Sequence, residues 1–402
     1  MHDTPVDEPG HRLRDRVEAE AYVASVCFKH GPPRLVGVEL EWTVHHVDDP
    51  SRPLTAEVLS TALGPHAPRT LSPESPQEVL PGGSPLSMEP GGQVEISALP
   101  QDSLAGLHAT AAADTRYLSD LLATHGLALG TSAIDPFRTP RRVLDTPRYS
   151  AMEKAFAPLG THGVTMMCNT AGFQVCVDAG EAGQMAARWA AVHALGPPMI
   201  ALFANSPVML GRDTGWASNR SRAVLNTDPV RSFPSVCDDD PAASWARRVL
   251  DTPLLCLRRP GDSCWEAPAG VTFADWIAGA LDRAPTLDDL DYHISTLFPP
   301  VRAQGYLEVR YIDAQPGDRW LAPAALLLAL LSTSDTVARV LDVCAPVADC
   351  WEGAARHGLR DEKLARVVEE VAAMGLAALD LPAAETAAVT GDIEDRLRKA
   401  RA

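Results

Sequence analysis

Four short segments of this chain alternate strictly between apolar and polar residues, and this alternation constrains the fold more than any other feature of the sequence. The segments span residues 37–44 (GVELEWTV), 93–97 (QVEIS), 172–178 (GFQVCVD) and 306–311 (YLEVRY). Because successive side chains of a strand point to opposite faces, each segment predicts a β-strand with an apolar back and a polar front. A parallel doubly wound sheet would bury both faces and read as continuous apolar runs. The pattern therefore predicts an α+β fold, with a curved, mostly antiparallel sheet and helices packed on its back.

Apolar residues spaced by three or four predict the helices that cover this sheet. They span residues 12–28, 104–125, 181–203, 322–340 and 359–379, and the prolines at 197 and 198 are the point where the third could break. A short strand is predicted over 127–134. No composition shift marks a linker, so we expect one domain over residues 12–402 that closes with helices at about 321–402. Residues 1–11 are expected to form a flexible N-terminus.

The charge balance limits the partners of this chain. It has 35 Lys and Arg against 52 Asp and Glu, which gives a net charge of −17. Nucleic-acid binding relies on Lys and Arg that neutralise phosphates, so this balance argues against a DNA or RNA partner. It leaves room for a small anionic ligand such as a nucleotide, because a few arginines are enough for one pocket.

The sequence shows no targeting or membrane signal. Residues 1–16, MHDTPVDEPGHRLRDR, lack the apolar core of a secretory signal. The longest apolar run, LAPAALLLALL at 321–331, is shorter than the ~20 residues that span a bilayer, and it predicts a buried helix. The eight cysteines form no Cys-x-x-Cys pair, which favours reduced thiols. We therefore expect a cytoplasmic protein with no membrane partner.

Glutamates recur on the polar fronts of the predicted strands. They are Glu39, Glu41, Glu95 and Glu308, with Glu89 at a strand entrance before a pair of glycines that favours a tight turn. Each one alone fits an exposed position on the wet face of a sheet. Gathered together they would repel each other, and Mg²⁺ resolves such repulsion because it takes oxygen ligands and bridges to phosphates. Zinc is disfavoured because no Cys/His pair has ligand spacing, and a glycosidase would need only two of these acids.

Arginines supply the second half of a candidate site. Arg310 follows Glu308 by two residues and so shares its face, while Arg220 and Arg222 lie together in GWASNRSR (215–222). Planar guanidinium groups suit bidentate contacts with carboxylates and phosphates, with ordinary surface positions as the alternative. The sequence contains neither a P-loop nor a dinucleotide-binding glycine motif. His293 is a candidate substrate contact, with a purely structural role as its alternative.

Several longer motifs resemble the plant-like glutamate-cysteine ligase family. They are GVELEWT (37–43), SMEPGGQVEIS (87–97), DPFRTPRRVLDTPRYSAM (135–152), GVTMMCNTAGFQVCVD (163–178), ALFANSPVMLGRDTGWASNRSR (201–222) and YHISTLFPPVRAQGYLEVRYIDAQP (292–316). The distinctive parts are EPGGQ-x-E and FPPVRAQGYLEVR. The resemblance runs in order from about residue 37 to residue 320. It is strongest to the actinobacterial branch of the family, which supplies γ-glutamylcysteine for ergothioneine synthesis.

The resemblance implies a glutamine-synthetase-like catalytic domain with an antiparallel sheet, a funnel-shaped site and two or three Mg²⁺ ions. It implies that the metal ligands are Glu39, Glu41, Glu89, Glu95 and Glu308. It also implies that Arg310 and Arg220 are catalytic, with Arg310 facing the transferred phosphate. The implied substrate and ATP contacts are Arg220, Arg222, Gln174 and Arg310, and we add His293 to them.

The implied reaction is the ATP-dependent ligation of L-glutamate and L-cysteine to γ-glutamylcysteine through a γ-glutamyl phosphate. The partners are then three small molecules, with ATP as co-substrate, and the sequence assigns no oligomeric state. The main alternative is a ligase of the same fold that joins glutamate to a different amine. The same polar face is also compatible with a catalytically silent binding protein or with a metal hydrolase. The chain departs from the family pattern at Cys176 and Asn219, and both bear on the acceptor pocket.

Overall fold

The computed structural model describes residues 11–261 and 263–401. Within these residues the strands are β1 (Val36–Trp42), β2 (Val44–His46), β3 (Leu86–Met88), β4 (Val94–Gln101), β5 (Leu127–Leu129), β6 (Gly172–Val177), β7 (Val208–Met209), β8 (Arg212–Asp213), β9 (Val301–Ala303) and β10 (Leu307–Asp313). The four alternating segments of the sequence correspond to β1, β4, β6 and β10.

The helices fall into two runs along the chain. The first run is α1 (Arg16–Cys27), α2 (Ala56–Leu63), α3 (Leu104–Ala123), α4 (Pro147–Phe156), α5 (His162–Asn169), α6 (Met185–Ala194), α7 (Gly196–Phe203), α8 (Asn219–Leu225) and α9 (Pro229–Ser232). The second run is α10 (Pro241–Asp251), α11 (Phe273–Ile277), α12 (Leu287–Ile294), α13 (Leu321–Leu330), α14 (Ser334–Cys344), α15 (Trp351–His357), α16 (Glu362–Ala377) and α17 (Ala383–Arg401).

Six of the strands form one antiparallel sheet, in the order β3-β4-β1-β6-β10-β9. This confirms the predicted antiparallel arrangement. The register places Glu41 of β1 opposite Glu95 of β4, and Glu39 opposite Gln174 of β6. In β1 the apolar residues are buried, whereas both glutamates are only half-buried. The polar front of the sheet therefore brings side chains from four separate segments of the chain onto one surface.

Helices cover the apolar back of the sheet and share one large hydrophobic core that includes Leu13 near one end of the chain and Ile393 near the other. Helix α3 packs against β4 and β1, and α7 packs against β10. Aromatic contacts join sheet to helices, as between Phe173 of β6 and Trp320, whose ring centroids are 5.8 Å apart. One continuous core is what a single domain would have. The extent of that domain, residues 12–402, stays a prediction.

Two of the predicted helices are broken in the structure. The helix expected over 181–203 is divided into α6 and α7, because Pro197 and Pro198 lack the backbone N–H that a continuous helix needs and instead begin α7. The helix expected over 322–340 is divided into α13 and α14, and Thr333 caps the second by accepting a hydrogen bond from the Thr336 N–H. The strand expected over 127–134 is limited to β5.

Residues 1–10 of the predicted N-terminal segment lie outside the described residues. The next residue, His11, is bound to the domain: its ring Nε2 is 2.8 Å from a carboxylate oxygen of Glu18, and its carbonyl accepts a hydrogen bond from the Leu287 N–H.

The apolar run at 321–331 forms the buried helix α13, as predicted. In the part of the chain that the structure describes, no single helix is long and apolar enough to cross a membrane. The two segments Gly317–Leu330 and Ser334–Val347 reach that threshold only when added together, and they are bent at 107° to each other.

The structure supports the structural role of His293 that the sequence left open beside a substrate contact. His293 lies in α12, is buried, and donates a hydrogen bond from Nε2 to the Val249 carbonyl at 2.9 Å. Its ring also contacts Phe273, with 5.2 Å between the ring centroids. Burial and the nearby charge of Arg231 lower the pKa of His293 to about 3. This histidine is therefore a neutral structural residue that joins α12 to α10.

We expect His293 to make the fold sensitive to acid. An unfolded histidine has a pKa of about 6.5, so the unfolded chain takes up a proton that the native chain refuses as the pH falls from ~6.5 toward 3. His293→Gln should remove up to about 1.4 kcal/mol per pH unit of this dependence. Urea unfolding between pH 7.5 and 5 measures it, with the exposed His125→Gln as a matched control. Equal slopes for His293→Gln and the wild type would contradict the assignment.

The glycine pair at 91 and 92 forms a tight turn, in which the Gly92 N–H donates to the Glu89 carbonyl at 2.9 Å. Gly92 has a φ of +89°, which favours glycine. A Cβ on Gly91 would lie 2.0 Å from the Cys168 carbonyl oxygen, because the turn passes directly beside that backbone. Glycine is therefore required at both positions, and the turn fixes Glu89 beside the sheet.

Gly91→Ala should lower the free energy of unfolding by about 1–3 kcal/mol, because a backbone carbonyl has no room to give way. The matched control is Gly183→Ala, where no atom lies within 4 Å of the added Cβ and φ is not positive. Urea unfolding of both variants makes the comparison. If Gly91→Ala is as stable as Gly183→Ala, the close approach of the turn to Cys168 is not as described.

Candidate active site

A cavity of about 480 Å³ opens on the polar front of the sheet. It is lined by the predicted residues Glu39, Glu41, Glu89, Glu95, Gln174, Arg220 and Arg310. Its size falls within the range of small-molecule sites in proteins. The structure thus brings together residues from β1, β4, β6, β10, α8 and the turn before β4, which are far apart in the sequence.

Two of the glutamates are held in place by hydrogen bonds. The Glu41 carboxylate accepts from the Gly172 N–H at 2.6 Å and from the Gln174 side-chain amide at 3.0 Å. Glu95 accepts from the hydroxyls of Ser87 and Ser97, at 2.6 and 3.0 Å. Neutral donors of this kind orient a carboxylate without cancelling its charge, so both groups stay available to a cation.

Glu39 and Glu89 lack even these partners. Among the described residues, none donates a hydrogen bond to either carboxylate. Burial raises the pKa of Glu39 to about 8, assisted by the charges of Glu95 and Glu308. Burial and the charges of Glu95 and Glu41 raise the pKa of Glu89 to about 8 as well. Carboxylates that form no ion pair with a described residue are a donor set that suits hard divalent ions, which take oxygen ligands.

Glu308 differs from the other glutamates because two arginines neutralise it. Arg302 donates to both of its carboxylate oxygens, at 2.7 and 3.1 Å, and Arg310 donates to one of them at 2.7 Å. Burial opposes ionisation of Glu308, but Arg302 and Arg310 outweigh it and lower its pKa to about 2. Glu308 therefore stays charged without a metal, and its first role is to hold the two guanidinium groups.

Arg310 and Arg220 lie together at the base of the cavity. Arg310 donates to Glu308 and to the side-chain carbonyl of Gln174, and Arg220 donates to the Arg310 backbone carbonyl at 2.6 Å. Burial by itself would lower the pKa of Arg310, but the charges of Glu308 and Glu39 raise it above its ordinary value. Arg220 forms no ion pair with any described carboxylate, so its charge is available to an anion in the cavity.

A buried aspartate that the sequence reasoning missed positions Arg220. Asp313, at the end of β10, accepts hydrogen bonds from the hydroxyls of Ser206 and Ser218, each at 2.8 Å, and from the Asn205 N–H at 2.8 Å. Ser206 in turn accepts from the Arg220 N–H at 3.1 Å. Ser218 is the N-cap of α8, so this network fixes the start of the helix that carries Arg220. These residues lie in two of the quoted motifs, but only tertiary structure joins them.

Arg222 does not line the cavity, contrary to prediction. It lies two residues after Arg220 in α8, and residues two apart on a helix do not share a face. Its guanidinium lies over the ring of Trp216, 4.8 Å from the centroid. The two arginines of the motif therefore point in different directions, and of the two only Arg220 lines the cavity.

Arg148 is a further cation in the cavity wall that we assigned no role from the sequence. It donates to the carbonyl and hydroxyl of Ser295, at 3.1 and 3.3 Å, and lies 4.9 Å from the ring centroid of Tyr292. None of the described carboxylates forms an ion pair with it. The neighbouring wall is apolar and includes Met152 and Phe298. The cavity thus combines a carboxylate cluster, cations without counter-charges and an apolar wall.

Comparison with known proteins agrees with this arrangement. A glutamate–cysteine ligase, EgtA, from Mycobacterium tuberculosis is 39% identical over 360 residues, which cover 88% of this chain and 81% of the relative. A chloroplastic glutamate–cysteine ligase from Brassica juncea is 31% identical over 365 residues, covering 86% of this chain and 69% of the relative.

A likeness in fold extends to a more distant structure. A bifunctional glutathione synthetase from Pasteurella multocida superposes with a TM-score of 0.51 at 13% identity, over 96% of this chain and 50% of that larger chain. With the antiparallel sheet, this confirms the predicted glutamine-synthetase-like α+β fold. The model of glutamate-cysteine ligase family 2 matches residues 35–401, nearly the whole chain. The chain therefore belongs to glutamate-cysteine ligase family 2.

Proposed function

We propose that this chain joins L-glutamate to L-cysteine, with ATP, to give γ-glutamylcysteine, ADP and phosphate. The observation that carries the proposal is the cavity itself, whose lining combines four glutamates with Arg148 and Arg220, which form no ion pair with a described carboxylate. Such a site suits a reaction in which an anion approaches a polyphosphate, because that approach is otherwise opposed by charge repulsion. Membership of the family supplies the choice of substrates.

The carboxylates fit the Mg²⁺ that this reaction needs. Glu39 and Glu41 lie on β1, Glu95 lies on the neighbouring β4 with Glu89 in the turn before it, and Glu308 lies on β10, so two or three ions have oxygen donors. Bound Mg²⁺ supplies positive charge that offsets the phosphates of ATP and the developing charge during transfer.

The arginines bind and orient the reacting anions. We assign Arg310 to the phosphoryl group being transferred, because Glu308 and Gln174 hold its guanidinium in a fixed position. Arg220 lies beside it and takes phosphate or the glutamate carboxylate. Arg148 supplies a third cation in the cavity lining, and because it forms no ion pair with a described carboxylate, we assign it to an amino-acid carboxylate.

The reaction proceeds in two steps. An oxygen of the glutamate γ-carboxylate attacks the γ-phosphorus of ATP, the bond to the β-phosphate oxygen breaks, and ADP leaves. The cysteine amine then attacks the carbonyl carbon of γ-glutamyl phosphate, phosphate departs with its electron pair, and the amine loses a proton to leave an amide. Phosphorylation is what turns a poor leaving group into a good one.

The setting of the reaction completes the proposal. All eight cysteines are free thiols, which suits a reducing compartment, and we propose that the protein works in the cytoplasm. We also propose that residues 12–402 act as one catalytic unit. The product would enter ergothioneine synthesis, in line with the branch of the family that the sequence most resembles.

Measurement of ADP release with ATP, Mg²⁺, glutamate and a panel of amines tests the proposal. We expect cysteine to give the fastest release and a product with the mass of γ-glutamylcysteine. Equal or faster release with another amine would identify a ligase with a different acceptor. Cleavage of a substrate without ATP would instead identify a hydrolase and contradict the proposal.

Glutamate labelled with ¹⁸O in its γ-carboxylate tests the intermediate. We expect one labelled oxygen to appear in the released phosphate, because that oxygen stays on phosphorus when the amide forms. Unlabelled phosphate would contradict the γ-glutamyl phosphate intermediate.

Arg310→Ala and Glu39→Gln should abolish turnover in the same assay while circular dichroism shows an intact fold. Full activity in either variant would contradict the role assigned to that residue.

Asp313→Asn should lower turnover through Arg220. Asparagine keeps the shape but offers one acceptor oxygen instead of two, so a serine or backbone donor loses its partner at a cost of about 1–3 kcal/mol. The matched control is Asp114→Asn, a buried carboxylate that accepts from the Gly82 and Ser84 N–H groups and does not line the cavity. We expect similar losses in urea stability from both but a fall in kcat only from Asp313→Asn. Equal kcat values would contradict the positioning role.

A further inference from the structure

One thiol lies beside the glutamates of the site and has no part in the proposed ligation. Cys176 of β6 is directly opposite Glu308 of β10, and two residues from Gln174, which faces Glu39. Its Sγ and one carboxylate oxygen from each of Glu39 and Glu308 all lie within 4.8 Å of one another. We propose that these three residues hold one divalent cation together, with Cys176 as a sulfur ligand. The inference rests on the proposed function for the two glutamates and adds the third ligand.

The sheet places the three donors where one cation can reach them. Metal–sulfur bonds of about 2.3 Å and metal–oxygen bonds of about 2.1 Å separate tetrahedral donors by roughly 3.6 Å. The three donors lie on neighbouring strands of the same sheet and within 4.8 Å of one another, so the proposal requires side-chain rotation to bring them closer by about 1 Å.

Glu308 retains room for a metal although two arginines contact it. One of its oxygens, Oε2, accepts from both Arg302 and Arg310, whereas Oε1 accepts from Arg302 alone among the described residues, at 3.1 Å. A carboxylate oxygen has two lone pairs, so Oε1 keeps one free. Glu39 has no hydrogen-bond donor among the described residues, so both of its oxygens are available. A cation at that lone pair therefore displaces no hydrogen bond that the described residues make to Glu39 or to Oε1 of Glu308.

A sulfur ligand changes which cation the position prefers. Carboxylates alone suit Mg²⁺ and Mn²⁺, whereas a thiolate favours Zn²⁺ and other soft or borderline ions. When such an ion binds, the S–H bond breaks, the proton leaves to solvent and a metal–sulfur bond forms. This position should therefore bind Zn²⁺ or Cd²⁺ more tightly than the remaining all-carboxylate positions do.

Titration with Cd²⁺ in thiol-free buffer tests the inference by ultraviolet absorption, because a thiolate bound to Cd²⁺ gives a charge-transfer band. The exposed Cys237 and Cys264 are first changed to serine to remove competing thiols. We expect a saturable band at one Cd²⁺ per chain, lost in Cys176→Ser and kept in the control Cys168→Ser, whose thiol is buried elsewhere. Glu39→Gln should weaken Cd²⁺ binding by at least about tenfold.

No band, or a band that survives Cys176→Ser, overturns the inference. If Cys176→Ser fails to fold by circular dichroism, Cys176→Asn replaces it, and ¹¹³Cd NMR of the protein with Cys176 intact separates one sulfur ligand from none. The band requires neither ATP nor turnover. Loss of ligase activity with Mg²⁺, glutamate and cysteine would therefore contradict the proposed function and leave the cadmium result to be judged separately.

Discussion

The mutual repulsion of buried carboxylates on the sheet front is the constraint on which the rest of the active site depends. Where two arginines face a carboxylate, as at Glu308, its pKa falls to about 2. Where no described arginine forms an ion pair with it, as at Glu39 and Glu89, burial outweighs the charge of Arg310 and raises the pKa to about 8. The same residue type on the same surface is thus divided into a permanently charged anchor and a group that needs an external cation. In the proposed reaction, metal ions balance the charge of the glutamates, and substrate phosphates balance the charge of the arginines that form no ion pair.

The scaffold keeps these charges from relaxing apart. Each glutamate is fixed by a strand or by the glycine turn, and the apolar back of the same strands is fixed by the helical core. Arg220 is held at a helix start by Asp313 and two serines. A flexible site could lower its energy by turning the carboxylates toward water. A sheet packed on one side removes that freedom, because rotating one strand would expose its buried face.

Fold and chemistry are separable in this protein. The likeness to a glutathione synthetase at 13% identity concerns the arrangement of sheet and helices, whereas the choice of amino-acid substrates belongs to side chains in the cavity wall. Arg148 and the apolar side chains of Met152 and Phe298 belong to this lining together with the carboxylates. Cys176 is a second example of this separation. In the proposed metal site its thiol changes the ligands offered to a cation, while the pairing of β6 with its neighbours stays regular at this residue.

The sequence by itself determined the two-faced strands, their polar fronts and the glutamates on them, because alternation along a strand is a local property with a period of two. It also identified Arg220 and Arg310 as candidates. It did not show where a side chain points when packing decides that direction. Arg222 points away from the cavity because of its position on α8, and His293 points toward α10, where it bonds to the Val249 carbonyl. Asp313 and Arg148 could not be assigned roles, because their partners lie far away in the sequence. Only the tertiary structure decided which charges meet, since strand register and helix phase are set by long-range burial.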